Sequence, residues 1–202
     1  MKVLVALRPL ALALQLSVSS CVSTGIADSW VDPELTALPC FEQVFVAYLG
    51  GDAAAQRVAE DAMAAQLATS APATRTVKCY EFYPDAREVD PAAIRAELRA
   101  AGCDGAAILH LARIEQQLSS SPGVYPSYHR SFGRYWGWAY APPAEVRTDE
   151  IVHVVTSVHS LVEDKLLYSA RSETFNPRST AVMVAEIAAA IRADLREKGL
   201  LR

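Results

Sequence analysis

The fold is decided in the stretch from Val44 to Asp52, which reads VFVAYLGGD. Its six apolar residues are continuous rather than alternating, which is typical of a strand buried on both faces of a sheet. The two glycines end this strand, and Asp52 is a suitable N-cap for a helix from Ala53 to about Ala68. The apolar stripe of that helix is Val58, Ala62 and Met63. A buried strand followed at once by a helix predicts a parallel sheet covered by helices.

The same alternation continues downstream. We predict a second strand near Thr76 to Phe82 and a helix from Asp90 to about Ala101, in which Ile94 and Leu98 share one face. Gly102 ends this helix, and a third strand follows from Ala106 to Ala112. Right-handed crossovers between these elements place the first strand between the other two.

The C-terminal third predicts a hairpin and a last helix. From Glu150 to Val162 one set of alternate positions holds Val152, Val154, Thr156, Val158 and Val162, which favours a strand with one buried face. A turn at residues 163–165 leads to a return strand from Leu166 to Phe175. Ser179 can then cap a helix with an apolar face formed by Val184, Ile187, Ile191 and Leu195. The sequence therefore predicts an α/β fold with a two-layer or three-layer mixed sheet: βαβαβ, an antiparallel β-hairpin and a C-terminal helix.

The first 20 residues have the pattern of an export signal. Lys2 and Arg8 precede an apolar stretch that is too short to span a bilayer. The stretch ends in Val18-Ser19-Ser20-Cys21, which resembles the lipobox of bacterial lipoproteins. The resemblance implies removal of residues 1–20 and acylation of Cys21 with lipid chains such as palmitate. An ordinary signal peptide cut after Ala27 is the alternative.

Composition limits the rest of the chain to one domain. Of 202 residues 51% are apolar, but 35 of these are alanine, so the larger hydrophobes suffice for a single core. Without residues 1–20 the chain keeps 17 basic and 23 acidic residues, a net charge of −6. No basic run is present, which argues against nucleic-acid binding. We expect a lipidated tether over residues 21–39 and one domain over residues 40–202.

Three cysteines remain after Cys21: Cys40, Cys79 and Cys103. Their spacing does not match a C-x-x-C pair or a zinc motif. Cys40 and Cys103 precede two strands that should be neighbours, and the exported compartment is oxidising. We therefore predict a Cys40–Cys103 disulfide, with Cys79 buried as a free thiol inside the second strand.

Residues 119–143 form the most unusual segment. They contain seven of the 16 aromatic residues of the chain, together with Arg130 and Arg134. The aromatic residues are Tyr125, Tyr128, Phe132, Tyr135, Trp136, Trp138 and Tyr140. Glycine and proline disfavour a regular helix, so we expect a long loop or ribbon that binds a protein partner. The alternative is that these rings cover a face of the sheet or mediate self-association.

Motifs of catalysis are absent from the sequence: no nucleophile elbow, zinc-protease helix, phosphate loop or dinucleotide turn is found. Gly50-Gly51-Asp52 joins a strand to a helix N-terminus, and His110 should lie on the same rim, so a small-ligand or enzymatic site there is a second hypothesis. His153 and His159 are too far apart to share a metal. We predict no catalytic residue, cofactor or metal.

Three short motifs support a resemblance to uncharacterised bacterial lipoproteins. They are Ser29 to Pro33 (SWVDP), Leu167 to Ala170 (LYSA) and Ser172 to Pro177 (SETFNP). The fold is similar to that of the penicillin-binding-protein activator lipoproteins, the curli secretion lipoprotein and the amino-terminal domain of TolB. The resemblance implies a noncatalytic adaptor or scaffold on the periplasmic face of the outer membrane, held there by its lipid, with an envelope protein as partner. A self-associating structural subunit is the remaining alternative.

Overall fold

The computed structural model describes residues 23–83, 90, 93–120, 131, 133 and 146–201. Within this part the chain forms one mixed six-stranded sheet with the order β1-β6-β5-β4-β2-β3. The strands are β1 Ser23–Val31, β2 Gln43–Leu49, β3 Arg75–Lys78, β4 Gly105–Ser120, β5 Val146–Ser160 and β6 Lys165–Phe175. The helices are α1 Ala53–Ser70, α2 Cys79–Phe82, α3 Ile94–Ala100 and α4 Thr180–Glu197. The predicted α/β fold is confirmed, including β2 between the parallel strands β3 and β4.

The larger core lies between one face of the sheet and the long helices α1 and α4. On the sheet side it contains Val44, Val46, Leu109, Val154 and Tyr168, all buried. The predicted apolar face of α4 is confirmed, since its members are buried in this core: Val184, Ile187, Ile191 and Leu195. Asp52 and Ser179 cap α1 and α4 as predicted, each accepting a hydrogen bond from the backbone three residues ahead.

The smaller core lies on the opposite face and covers only part of it. Phe45 and Ala106 pack there against Cys79, Leu98 and Cys103 from α2, α3 and the turn that follows. Farther along this side, over β5, β6 and β1, the described part of the chain places no helix. We call this uncovered area the open face.

A buried carboxylate joins α1 to the end of β2. The side chain of Glu60 is fully buried and accepts hydrogen bonds from the backbone amides of Tyr48 at 3.0 Å and Tyr80 at 2.9 Å. Since the pairing of β3 with β2 ends at Lys78, Glu60 provides the acceptor that a longer β3 would have given Tyr48. Its second oxygen binds an amide in the first turn of α2, where unpaired N–H groups need acceptors.

The segment predicted as a tether contains a strand. Ser23–Val31 forms β1, which pairs antiparallel with β6 at the edge of the sheet. Two polar clusters hold it in place. Lys165 binds the buried carboxylate of Asp32 at 2.6 Å, and Ser29 donates to Asp194 on α4. Sequence patterning missed β1 because an edge strand open on one face has no continuous apolar run.

Other predicted details are wrong. Val58 is exposed, whereas Met63 is buried as predicted and Ala62 packs partly buried against the larger core. Ala59 and Glu60 are the other buried residues of α1. The second strand ends at Lys78, so Cys79 begins the short helix α2 rather than lying inside a strand. Helix α3 begins at Ile94. Two predictions for this helix are confirmed: Leu98 is buried, and Gly102, which follows the helix, has a positive φ of 87°.

The predicted disulfide is also wrong, because all three described cysteines are free. Cys40 is exposed, whereas Cys103 is fully buried and accepts a hydrogen bond from the Gln43 amide. The prediction used only the positions of Cys40 and Cys103 before two neighbouring strands. Those positions do not show that the Cys40 side chain points to solvent and the Cys103 side chain into the smaller core.

Candidate interaction surface

Strands β4 and β5 continue beyond the rest of the sheet as a two-stranded ribbon. Their pairing extends to Ser120 and Val146, whereas the last pairing of β5 with β6 is Ile151 with Phe175. We call residues 112–120 and 146–150 the ribbon. Its apolar side chains Ile114 and Leu118 are 51% and 77% exposed. They lie on the same side of the ribbon, because alternate residues of a strand share a face.

The segment expected to bind a partner connects the two strand ends of the ribbon. Its seven aromatic residues, Tyr125, Tyr128, Phe132, Tyr135, Trp136, Trp138 and Tyr140, lie outside the described residues. Ser120 and Val146 are paired, so the segment leaves and rejoins the described fold at one point, the end of the ribbon.

A charged cluster around His153 lies on the open face where the ribbon begins. The ring nitrogen Nε2 is 3.3 Å from the Arg113 guanidinium, and Nδ1 is 3.4 Å from a carboxylate oxygen of Glu173. Nε2 is also 3.7 Å from a carboxylate oxygen of Glu115, so the ring lies between two carboxylates and one guanidinium. Arg113 also binds Glu115 at 2.9 Å. The hydrogen bond from Gln117 and the nearby Arg113 lower the pKa of Glu115.

This cluster cannot be predicted from sequence patterns, because its members come from three strands. His153 itself is buried, although its side chain lies outside both hydrophobic cores. Arg113 faces His153 only because a bulge between Leu111 and Arg113 shifts the register of β4 against β5. A bulge of one residue reverses which side chains face each side, and pattern analysis does not locate it.

A hollow of about 270 Å³ lies beside this cluster, over the strands β1, β6 and β5. It is lined by Gly25, Ile26, Ala27, Ile151, Glu173 and Phe175. An added Cβ at Gly25 would meet no atom within 4 Å, so the hollow opens directly over the backbone of β1. The hollow and the cluster lie on the open face at the end of the sheet where the ribbon begins, whereas Ile114 and Leu118 project from the other side of the ribbon.

The first residue of β1 lies at the same end of the sheet. Cys21 itself lies outside the described residues, but it precedes the first residue of β1, Ser23, by only two positions. Ser23 pairs with Phe175, which pairs with Ile151, which in turn pairs with Glu115 of the ribbon. The start of β1 and the start of the ribbon therefore lie in one row across the sheet.

The alternative rim near Gly50 is explained by packing. Gly50 has a φ of 101°, and a Cβ there would lie 3.0 Å from the carbonyl oxygen of Leu111. A Cβ at Gly51 would lie 2.8 Å from the Tyr48 ring. The Asp52 carboxylate already accepts the Ala55 amide at 2.7 Å, so it occupies the helix N-terminus that an anion would need.

The three histidines in the described part of the chain do not gather into a metal site. His110 is exposed and pairs with Val155, whereas His159 lies farther along β5 near Ser157, 3.1 Å away. Burial lowers the pKa of His159. Within the described ranges, no three histidine, cysteine, aspartate or glutamate side chains are placed to hold a metal ion.

Comparison with known proteins gives distant structural similarities. No family pattern and no curated protein matches the chain. A PelC dodecamer from Paraburkholderia phytofirmans is similar at 15% identity over 89% of this chain and 99% of that one, with a TM-score of 0.47. The lipoprotein GNA1162 from Neisseria meningitidis is similar at 11% identity over 77% and 98%, with a TM-score of 0.42. Fold similarity does not fix function, so the proposals below rest on the residues of this chain.

Proposed function

We propose that this protein is a lipid-anchored, noncatalytic adaptor or scaffold of the bacterial cell envelope that binds a protein partner beside the membrane. The ribbon supports this proposal, because its two strands project past the rest of the sheet and carry the segment 121–145 at their end. The segment between its strands adds the aromatic residues and arginines that are enriched at protein interfaces.

The lipobox supports attachment through Cys21. None of the helices in the described ranges is long and apolar enough to cross a membrane. The net charge of −6 after removal of residues 1–20 gives no basic patch that would attract an anionic membrane. Several acyl chains on one cysteine would provide stable attachment instead. An outer-membrane position and an exported compartment are part of the proposal.

Attachment is tested by mass spectrometry of the protein from membranes. The expected result is an acylated N-terminal Cys21, and a Cys21→Ser variant that no longer fractionates with the membrane. Recovery of an unmodified N-terminus at Asp28 would instead identify an ordinary secreted protein.

Partner binding is tested by photo-crosslinking in intact cells. A photoreactive amino acid replaces Arg147 on the ribbon, and the matched control carries it at Glu163, in the exposed turn at the other end of β5. A distinct protein crosslinked from position 147 but not from 163 supports the adaptor. Crosslinks only between copies of this chain would instead support a structural subunit, and no crosslink from position 147 would overturn partner binding.

A further inference from the structure

Ser23, which follows Cys21 by two residues, and Glu115 of the ribbon lie in one row across the sheet. Two residues span at most about 7 Å, so Cys21 lies within that distance of Ser23. The ribbon extends five residues past Glu115, which is in the same row as Ser23, and this adds about 17 Å along β4.

The twist of the sheet reduces this projection but does not remove it. Three strand pairs separate β1 from β4, and each rotates by about 20–25°, so β4 is turned by about 60–75° from β1. The ribbon then rises about 4–8 Å along the direction of β1, comparable to the reach of Cys21. Laterally, β1 and β4 are separated by about 14 Å of sheet.

We propose that the described strands of the ribbon lie against the lipid headgroups, with Leu118 and Ile114 in contact with the membrane interface. The ribbon is thus a second membrane contact beside the lipid anchor. This proposal rests on lipidation of Cys21, and it places any partner of the segment 121–145 at the membrane surface.

Two observations select the interface rather than the hydrocarbon interior. Beyond Leu111 and Ile151 the two outer edges of the ribbon have no neighbouring strand in the described part of the chain. Unpaired backbone groups are not tolerated in hydrocarbon, whereas the headgroup region hydrates them. The charged side chains of Glu115, Asp149 and Glu150 also belong in water.

The contact is apolar rather than electrostatic. The described ribbon carries Arg113, Glu115, Arg147, Asp149 and Glu150, so acidic residues outnumber basic ones. It is therefore not attracted by anionic lipid. An exposed leucine near the headgroups is stabilised by burial of apolar surface, which salt does not screen. Membrane contact of the ribbon should therefore be independent of ionic strength.

The test places a fluorophore on the lipidated protein in vesicles of phosphatidylethanolamine and phosphatidylglycerol that contain a nitroxide-headgroup lipid. Labels are attached at Leu118→Cys and, separately, at Gln116→Cys on the same side of the ribbon, both in a Cys40→Ser background. The matched control is Val162→Cys, 54% exposed in the turn at the opposite end of the sheet. Circular dichroism checks that each variant is folded.

The nitroxide should quench most of the emission from positions 116 and 118, with no loss at 162 and no change in 0.5 M salt. Vesicle flotation separates the two proposals. Protein that floats but is unquenched at both ribbon positions overturns the membrane contact and leaves the anchor intact, whereas protein that does not float overturns the anchor. If the labels are not quenched in pure-lipid vesicles but are shielded from solvent in native membranes, the ribbon contacts a protein partner instead. That result also overturns the lipid contact.

Discussion

The hydroxyl of Tyr168, on β6, donates a 2.9 Å hydrogen bond to a carboxylate oxygen of Asp194 on α4. The Tyr168 side chain is fully buried, and its pKa is raised by burial and by the negative charge of Asp194. Asp194 also accepts hydrogen bonds from Ser29 on β1 and from Lys198. One carboxylate therefore joins the edge strand nearest the predicted anchor, its neighbour β6 and the last helix.

The first prediction concerns this hydrogen bond. Tyr168→Phe keeps the packing but leaves Asp194 without its most buried donor, so the free energy of unfolding should fall by about 1–2 kcal/mol. Urea denaturation measures the change. Tyr80→Phe is the matched control, because the Tyr80 hydroxyl binds the exposed Asp61 and its loss should change stability less. Equal effects of the two substitutions would contradict a structural role for the buried pair.

The second prediction concerns the pH dependence of stability. Burial alone would raise the pKa of Asp194, but hydrogen bonds from Lys198, Tyr168 and Ser29 hold it below its ordinary value of 3.8. The unfolded chain therefore binds more protons than the folded one near and below pH 4, so stability rises with pH there. The contribution of Asp194 is present above pH 4 and is lost as the pH falls through its folded pKa.

The variant Asp194→Asn tests this assignment. It should be less stable than the parent protein at pH 7, and its free energy of unfolding should decline less steeply between about pH 4 and pH 2. Thermal unfolding across this range provides the measurement. An unchanged slope would mean that other carboxylates, such as Asp32 beside Lys165, account for the acid sensitivity.

The sequence predicts the elements whose physical signals are local. The continuous run of β2, the capping residues Asp52 and Ser179 and the periodicity of α4 each depend on residues close in the chain. The predictions that were wrong depended on long-range geometry. Whether β1 is a strand depends on the exposed edge of β6, and whether Cys40 meets Cys103 depends on the direction of two side chains.

The same distinction applies to the candidate surface. The lipobox and the unusual composition of residues 119–143 are visible in the sequence, because both are local features. That these features share one end of the sheet follows only from the register Ser23, Phe175, Ile151 and Glu115. The His153 cluster likewise requires the bulge in β4.

The third prediction concerns the buried carboxylate of Glu60. In Glu60→Gln one carboxylate oxygen becomes an amide nitrogen, which faces the backbone N–H of either Tyr48 or Tyr80 and leaves that donor unpaired. The expected loss of stability is about 1–3 kcal/mol. The exposed Glu163→Gln is the matched control in urea denaturation and should be close to neutral. A neutral Glu60→Gln would show that water can replace the lost acceptor.

The fourth prediction follows from the state of the cysteines. Cys40 is exposed, whereas Cys79 and Cys103 are buried. Burial and the nearby charge of Glu60 raise the pKa of the Cys79 thiol to about 11, which also makes it a poor nucleophile at neutral pH. In the native protein a thiol reagent should therefore label Cys40 rapidly, and the other two only after unfolding.

Peptide mass spectrometry after a short alkylation identifies the labelled residues. The variant Cys40→Ser should show no rapid labelling in the described domain, and its stability should be close to that of the parent. Rapid labelling of Cys79 in the native protein, or resistance of Cys40 that reducing agent removes, would contradict the free-thiol assignment.

The fifth prediction is an increase in stability. Within the described residues, the hydroxyl of Thr156 is buried without a hydrogen-bond partner, on the β5 face that packs in the larger core. A buried polar group without a partner costs about 1–3 kcal/mol, whereas a methyl group of the same size does not. Thr156→Val should therefore raise the free energy of unfolding by about 1 kcal/mol.

Thr174→Val is the matched control, because Thr174 is equally buried but its hydroxyl lies 2.9 Å from that of Thr24. That substitution breaks a hydrogen bond and should destabilise the protein in the same urea measurement. Destabilisation by Thr156→Val would instead mean that the hydroxyl binds a buried water, and loss of that water would then explain the result.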